Sequence, residues 1–260
     1  MDEGRLDHGT ARTAAELRLQ LAQMTAASQL LERTATDDRS RGCLAALNQG
    51  ICRMLRIVGR LELTYRLGGE KPPKLERACV DLARNARELG ARLAGLLACA
   101  GVSLEVEAPE SLPAWADGAL VDQMLMELVS NAAKAGKNVT LTLAGRDGQA
   151  VFTVEDDGPG IDPERVQYLF SGEEEAVPDW RRGGVGVAVA RRVATLHGGT
   201  LMAGCAPGRG LRAVASIPLG TAEGMLLETP ALGWDQGGFD EALVALSDIL
   251  PARVFEPGDE

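Results

Sequence analysis

Apolar residues recur three and four positions apart through the first hundred residues, which is the spacing of a buried helical stripe. A first stripe in residues 17–31 predicts a helix that ends near the polar segment 34–42. A second runs from Leu44 to about Leu67 and stops at GGEKPP, and a third runs from Leu75 to Leu96. The second and third stripes predict an antiparallel helical hairpin over residues 41–100, preceded by a helical segment over residues 1–40.

This predicted hairpin has two apolar faces, and one pair of helices cannot cover both. We therefore expect two chains to pair into a dimeric four-helix bundle. The alternative is that the hairpin packs on the downstream part of its own chain.

A polar turn interrupts the longest stripe at Asn48, Gln49 and Gly50. Glycine inside a helix costs about 1 kcal/mol relative to alanine. A strong amphipathic helix therefore needs a reason to contain this turn.

After Gly101 the pattern changes to alternation. Strands are predicted in VSLEVEA, VTLTLAG, AVFTVED, TLMAGCA and LRAVASIPL, and helices in DGALVDQMLMELVSNAAKA and GVGVAVARRVATLH. This order gives a mixed sheet with helices on one face, a two-layer α/β sandwich over residues 101–220. The predicted fold class is thus α+β, a helical hairpin followed by a sandwich. Residues 221–260 form an extension with a helix-like segment and no chemical motif.

Composition narrows the class of protein. The 260 residues are 45% hydrophobic and 25% charged, as in globular chains, and their formal net charge is -10. Such a charge argues against a nucleic-acid partner, because binding to a phosphate backbone depends on lysine and arginine. The sequence offers no signal peptide and no apolar run long enough to span a bilayer, which predicts a cytoplasmic protein without a membrane partner.

The first chemical cluster lies in the predicted helix DQMLMELVSNAAKA. Glu127 and Asn131 are four residues apart and project from one helix face, with Lys134 one turn further along. Two oxygen-bearing side chains and an ammonium group suit a magnesium ion that bridges phosphates. The alternative is an ordinary solvated helix face.

The second cluster is VEDDGPGID, where a strand ends in acids. Gly158 and Gly160 allow the backbone to turn tightly and to lie close to a flat ligand. Asp156 could accept a hydrogen bond from the exocyclic amine of adenine. An Asp-Gly turn can also exist without a ligand.

The third cluster, GGVGVAVARR, places Gly183, Gly184 and Gly186 before a helix. Free backbone amides and the positive end of the helix dipole converge there, and this favours phosphate oxygens.

In this order the three clusters resemble the ATP-binding domain shared by sensor histidine kinases, type II topoisomerases, Hsp90-class chaperones and mismatch-repair ATPases, from about Trp115 to Leu219. The preceding hairpin is similar to that of histidine kinases. The resemblance implies ATP and Mg²⁺ as cofactors, with Asn131 holding magnesium and Asp156 reading adenine. It also implies that Gly158 and Gly160 line the pocket and that Gly184 and Gly186 approach the phosphates.

The chain also departs from the family pattern. Arg182 stands where a glycine is usual, the segment between Phe170 and Gly183 is short and acidic, and Leu211 replaces a small hydroxyl residue. These differences argue against efficient phosphoryl transfer.

Aligned with the family's hairpin, Asn48 falls at the phosphate-accepting histidine and Gln49 at its acidic neighbour. An amide nitrogen is a poor nucleophile because its lone pair is delocalised. The polar turn is then a degenerate phosphoacceptor site, or else a pair of surface amides. Of the two histidines, His8 lies in a start expected to be frayed, and His197 is expected to be a helix-end cation or a packing group.

Three functions follow as hypotheses. The leading one is an ATP-binding, histidine-kinase-like dimeric regulator that does not phosphorylate its own hairpin. The second is an enzyme, either a kinase acting on a partner in trans or an ATPase in which Glu127 orients water. The third is a nucleotide-free scaffold that binds a response-regulator-like protein.

Overall fold

A computed structural model describes residues 3–68, 74–160, 185–205, 210–220, 235–236 and 238–256. The chain divides into two units. A helical unit contains Met1–Arg66 and Gly233–Glu260, and a second unit contains Leu67–Leu232. The helical unit is therefore built from both ends of the chain.

The helical unit contains the hairpin, but from different helices than predicted. Helix α1 (Glu3–Glu32) and helix α2 (Asp38–Gly68) run antiparallel, because Arg18 pairs with Glu62 while Ser28 bonds Asn48. Asp37 starts α2 by accepting hydrogen bonds from the backbone N–H and hydroxyl of Ser40. The backbone at position 8 lies within α1.

The C-terminal part of the chain completes this unit. Strands β8 (Asp235–Gln236) and β9 (Phe239–Asp240) lead into helix α6 (Glu241–Leu246) and a 3-10 helix (Ala252–Phe255). The side chain of Asp240 caps α6. The core of the unit contains side chains that are at most 2% exposed, among them Leu21, Ile51, Cys52, Leu55, Leu246 and Leu250.

The third apolar stripe belongs to the second unit and is only partly helical. Strand β1 (Ala78–Asp81) pairs with β3 (Pro113–Ala116), and helix α3 (Leu82–Ala98) follows β1 directly. Asp81 ends the strand and caps the helix by accepting from the N–H groups of Ala83 and Arg84. Heptad spacing misled the prediction, because a helix packed on a sheet also buries every third and fourth residue.

The remaining elements form the predicted sandwich. Strands β2 (Ser103–Glu107), β4 (Asn138–Arg146), β5 (Gln149–Asp156), β6 (Thr200–Cys205) and β7 (Leu211–Pro218) form a sheet in the order β2-β4-β5-β7-β6. Only β2 and β4 are parallel within it. Helices α3, α4 (Gly118–Ala135) and α5 (Val185–Leu196) pack against this sheet, and α4 also packs against α3 and α5.

Strand alternation explains this packing. Every second residue of β4 is buried, at Val139, Leu141 and Leu143, and β7 repeats the pattern. The fold class predicted from the sequence, a helical region followed by a two-layer sandwich, is confirmed. Within the described residues, no helix is both long and apolar enough to cross a membrane.

Candidate functional site

Helix α4 carries the first cluster, and its start is firmly fixed. The side chain of Asp117 accepts hydrogen bonds from the N–H of Leu120 at 3.2 Å and of Glu76 at 3.1 Å. Further along, Glu127 is buried, Asn131 is half-buried and Lys134 is exposed. The three residues therefore pass from the interior to the surface along one helix face.

Asn131 has an unusual environment. Its Nδ2 atom is buried and has no hydrogen-bond partner among the residues that the structure describes. Buried amides are nearly always hydrogen-bonded, and an unmade bond costs about 1–3 kcal/mol. One turn further along α4, the carbonyl of Ala135 lies so close to Gly158 that a Cβ there would sit 2.6 Å from it. The helix thus brings Asn131 toward the second cluster.

Asp156 ends strand β5 with its side chain buried. Its Oδ1 accepts a hydrogen bond from the N–H of Gly158 at 2.9 Å. Burial raises the pKa of this carboxyl, although hydrogen bonds from the backbone of Gly158 and Leu211 oppose the rise. A sheltered acceptor at a strand end suits recognition of an amine in an apolar ligand.

Glycines allow backbone to close around Asp156. Gly210 has φ +74°, and a Cβ on it would lie 1.8 Å from the carbonyl oxygen of Asp156. Gly160 has φ +73°, and a Cβ there would lie 2.4 Å from Sγ of Cys205. Both positions favour glycine by conformation and by space. Gly210, the last residue of the loop sequence PGRG, was not among the predicted site residues.

Asp157 has a role that was not predicted from the sequence. Its Oδ1 accepts from the N–H of Lys137 at 2.7 Å and of Asn138 at 2.9 Å, and its Oδ2 accepts from Nδ2 of Asn138. The hydrogen bonds from Asn138 and Lys137 lower the pKa of this exposed carboxyl. Asp157 thereby ties the turn after α4 to the end of β5. Asp157 directly follows β5, so the available signal was that consecutive acids in extended backbone point to opposite sides.

The third cluster is described only in part. Gly186 is buried in the first turn of α5, whereas Gly183, Gly184, Arg182 and the segment between Phe170 and Gly183 lie outside the described residues. Leu211 is the first residue of β7.

His197 is a buried packing group. Its Nδ1 donates to the carbonyl of Val193 at 2.9 Å, and its Nε2 accepts from the N–H of Asp117 at 3.1 Å. Burial lowers the pKa of His197, so the ring is neutral near pH 7. This geometry favours the expected role of a packing group over that of a helix-end cation. Both ring nitrogens are engaged, and the bond to Nε2 joins the end of α5 to the start of α4.

Asn48 and Gln49 lie in the second helix of the hairpin and are buried. Asn48 accepts from the Ser28 hydroxyl at 2.6 Å and donates to Glu32 at 3.1 Å and to the carbonyl of Phe255 at 3.2 Å. The alignment with a phosphoacceptor assumed a hairpin of α2 and α3, whereas the hairpin consists of α1 and α2. The match of Asn48 to the acceptor position has therefore lost its basis, and a surface position is also wrong.

Comparison with known proteins agrees with the geometry of the second unit. Residues 116–221 match the family described as "Histidine kinase-, DNA gyrase B-, and HSP90-like ATPase". We refer to this part of the chain, residues 116–221, as the ATPase domain because of this match. The ATPase domain so defined includes α4, the end of β5 and α5, which carry the three clusters.

Two relatives whose matches to this chain are longer than this domain are named as kinases. The adaptive-response sensory kinase SasA of Parasynechococcus marenigrum is 33% identical over 154 residues, covering 56% of this chain and 40% of that protein. Histidine protein kinase DivJ of Caulobacter vibrioides is 34% identical over 165 residues, covering 60% of this chain and 27% of that protein. The chain thus spans less than half the length of either.

Solved structures extend the similarity beyond the ATPase domain. A crystal structure of full-length ShkA in complex with AMPPNP superposes with a TM-score of 0.68 at 25% identity, covering 83% of this chain and 46% of that one. The histidine kinase AdeS of Acinetobacter baumannii, at 15% identity and a TM-score of 0.52, shares the fold over 85% of this chain and 99% of that one.

Proposed function

We propose that the ATPase domain binds Mg-ATP beside α4 and the end of β5, and that the chain is a nucleotide-controlled, histidine-kinase-like regulator. One observation carries this proposal. The buried amide of Asn131 lacks a partner among the described residues and lies one turn from the contact between Ala135 and Gly158. A ligand with oxygen atoms would supply the missing hydrogen bond.

Each predicted residue has a role in this proposal. Asp156 accepts from the exocyclic amine of adenine, which favours adenine over guanine because guanine presents a carbonyl there. Gly158 and Gly160 leave room for the flat ring. Lys134, Gly184 and Gly186 contact the phosphates, the glycines through backbone N–H groups at the start of α5. The AMPPNP in the ShkA structure supports a nucleotide of this kind.

Magnesium fits the side chains that α4 provides. Among the described residues there is no group of three or more His, Cys, Asp or Glu side chains that could hold a metal ion alone. Mg²⁺ usually takes one or two protein oxygens and completes its shell with phosphate and water. Asn131 and Glu127 offer such oxygens four residues apart on one helix. The bound ion would neutralise phosphate charge.

We also propose that the protein is a homodimer. The outer face of α2 carries Leu47, Met54, Ile57 and Leu61, which are 39%, 45%, 66% and 40% exposed. Their spacing of seven, three and four is that of a helix packed against another helix. Leu17, Met24 and Leu31 of α1 repeat every seven residues and are also exposed. A second copy would bury both rows in a four-helix bundle.

The deciding experiment is calorimetric titration with Mg-ATP. We expect the wild type to bind and Asp156→Ala to bind at least about tenfold more weakly, a loss of about 1.4 kcal/mol. Asp147→Asn is the matched control, because this exposed acid lies at the other end of β5, in its hairpin turn. A wild type that binds no adenine nucleotide would contradict the proposal and favour the scaffold that binds a response-regulator-like partner.

An enzyme is the second candidate, favoured by the retention of Glu127 one turn before Asn131 on α4. Nucleotide turnover or labelling of a partner that disappears in Asn131→Ala would establish catalysis. Labelling of the chain itself on histidine could not use His197, whose two nitrogens are engaged. It would fall on His8, the other histidine, and His8→Ala would abolish it.

A further inference from the structure

The C-terminal part of the chain returns to the helical unit after the ATPase domain. We define the strap as residues Phe239–Phe255, which contain β9, α6 and the 3-10 helix. The unit that contains the ATPase domain, Leu67–Leu232, lies between two segments of the helical unit in the chain. It is therefore connected to that unit at both of its ends.

Donors on α2 bind the strap where a helix ends. The Nε2 of Gln49 donates to the carbonyls of Ser247 at 3.2 Å and Leu250 at 2.7 Å, and Nε of Arg53 donates to Ser247 at 3.3 Å. The last carbonyls of a helix have no intrahelical partner and need such donors. Asn48 adds the bond to Phe255 at the end of the strap. The polar turn of α2 is thus the docking surface of the strap.

An ion pair and apolar side chains complete the contact. The Nη1 of Arg56 lies 2.7 Å from Oδ2 of Asp248, and the Arg56 side chain is only 5% exposed. Leu246, Leu250 and Phe255 are buried. The strap is therefore held both by side-chain packing and by polar groups that water can solvate when the strap leaves.

We propose that docking of the strap restrains the ATPase-domain unit and that undocking is a regulatory step. A domain attached by one connection keeps more conformational freedom than a domain attached by two, because the second connection closes a loop. With the strap docked, the second connection is anchored on α2. With the strap released, only the connection after α2 remains. This inference does not depend on ATP binding.

The test uses the full chain, in which either of two substitutions weakens the contact between α2 and the strap. Asp248→Lys places a positive charge beside Arg53 and Arg56, and Gln49→Leu removes the donor to Ser247 and Leu250. Arg18→Gln is the matched control, because it breaks the 2.6 Å ion pair with Glu62 in the same unit without touching the strap. Hydrogen exchange of residues 242–250 reports docking.

Pulsed electron spin resonance reports the restraint. One spin label goes on exposed Cys99 in the second unit and the other on Thr36→Cys in the exposed turn of the hairpin. Cys43→Ser and Cys205→Ser prevent other labelling, and dilution with unlabelled protein removes distances between chains. The distance distribution between the labels then describes how freely one unit moves relative to the other.

We expect both dock variants to speed exchange of residues 242–250 at least about tenfold and to broaden the distance distribution, while Arg18→Gln changes neither. Faster exchange with an unchanged distribution would show that the strap undocks without restraining anything. Unchanged exchange in both variants would show that these contacts do not hold the strap. Either result would overturn the proposal.

Discussion

Asn48 in the helical unit and Asn131 in the ATPase domain are both asparagines inside strong helices. Asn48 makes three hydrogen bonds, to Ser28, Glu32 and Phe255. The buried Nδ2 of Asn131 has no partner in the described part of the chain. A satisfied buried amide stabilises a fold, whereas an unsatisfied one is expected where a ligand completes the bond. The comparison separates a structural polar turn from a candidate binding site.

The same two units differ in their glycines. Gly210 packs against Asp156 with a positive φ, while a Cβ on Gly50 in α2 would meet nothing within 4 Å outside its own helix. Contacts within a single chain therefore require glycine at position 210. No such contact requires glycine at position 50.

Gly210→Ala should give the largest effect on stability. The added Cβ would clash with the carbonyl of Asp156, and alanine is strained at φ +74°. We expect a loss of roughly 3 kcal/mol or more in the free energy of unfolding of the second unit, measured by urea denaturation. Gly204→Ala is the control, because that glycine has open space on the neighbouring strand. Equal stability of the two variants would contradict the geometry around Asp156.

Asn48→Ala should destabilise the helical unit by roughly 2–4 kcal/mol, because it leaves buried partners without hydrogen bonds. Urea denaturation followed by circular dichroism measures this change. Calorimetry should show that the affinity for Mg-ATP is unchanged. A surface amide would instead cost less than about 0.5 kcal/mol.

His197→Ala should cost about 1–3 kcal/mol, because the N–H of Asp117 loses its acceptor. The native pKa of His197 is lowered from its usual 6.5, so the unfolded chain binds the proton more tightly. The stability that the neutral ring contributes is complete above pH 6.5 and is lost as pH falls through the native pKa. Between pH 7.5 and pH 5, the temperature of thermal unfolding should fall more steeply in the wild type than in His197→Ala. Parallel curves would contradict the assignment.

Gly50→Ala should stabilise an isolated chain by about 1 kcal/mol, because alanine favours a helix and has space. Thermal unfolding at low protein concentration measures the gain. Weaker self-association of this variant in sedimentation experiments would show that a second chain approaches α2 closely at Gly50.

Asn131→Ala should cause the smallest loss of stability, at most about 0.5 kcal/mol, because the lost amide donates to no described residue. Its effect on nucleotide binding should instead be large, with the affinity for Mg-ATP weakened at least about tenfold in calorimetry. A stability loss as large as that of Asn48→Ala would remove the distinction between the two asparagines.

Local patterns predicted most elements correctly. The bounds of α4, β4, β5 and α5 lie within a residue or two of the predicted segments, because alternation and helical spacing record which face is buried. The motifs of the ATPase domain were also visible, since a strand end, a helix face and a glycine turn are local features. Strand β1 was missed because four residues inside an apolar helical pattern give too weak a signal.

The pairing of helices was predicted wrongly. Helices α2 and α3 are adjacent in sequence, and their apolar stripes have the spacing of a helical hairpin. The antiparallel partner of α2 is nevertheless α1. Apolar spacing shows that a face is buried but does not show what covers it. Asn48 and Gln49 donate hydrogen bonds to residues about two hundred positions away, namely Ser247, Leu250 and Phe255.

The sequence by itself determined most of the elements, the fold class and the three clusters of the ATPase domain, because these depend on residue types a few positions apart. Tertiary structure decided which of two similar asparagines is satisfied, which of two adjacent acids faces inward, and where the C-terminal strap docks. These outcomes depend on hydrogen-bond partners and packing surfaces that come together only when distant segments fold onto one another.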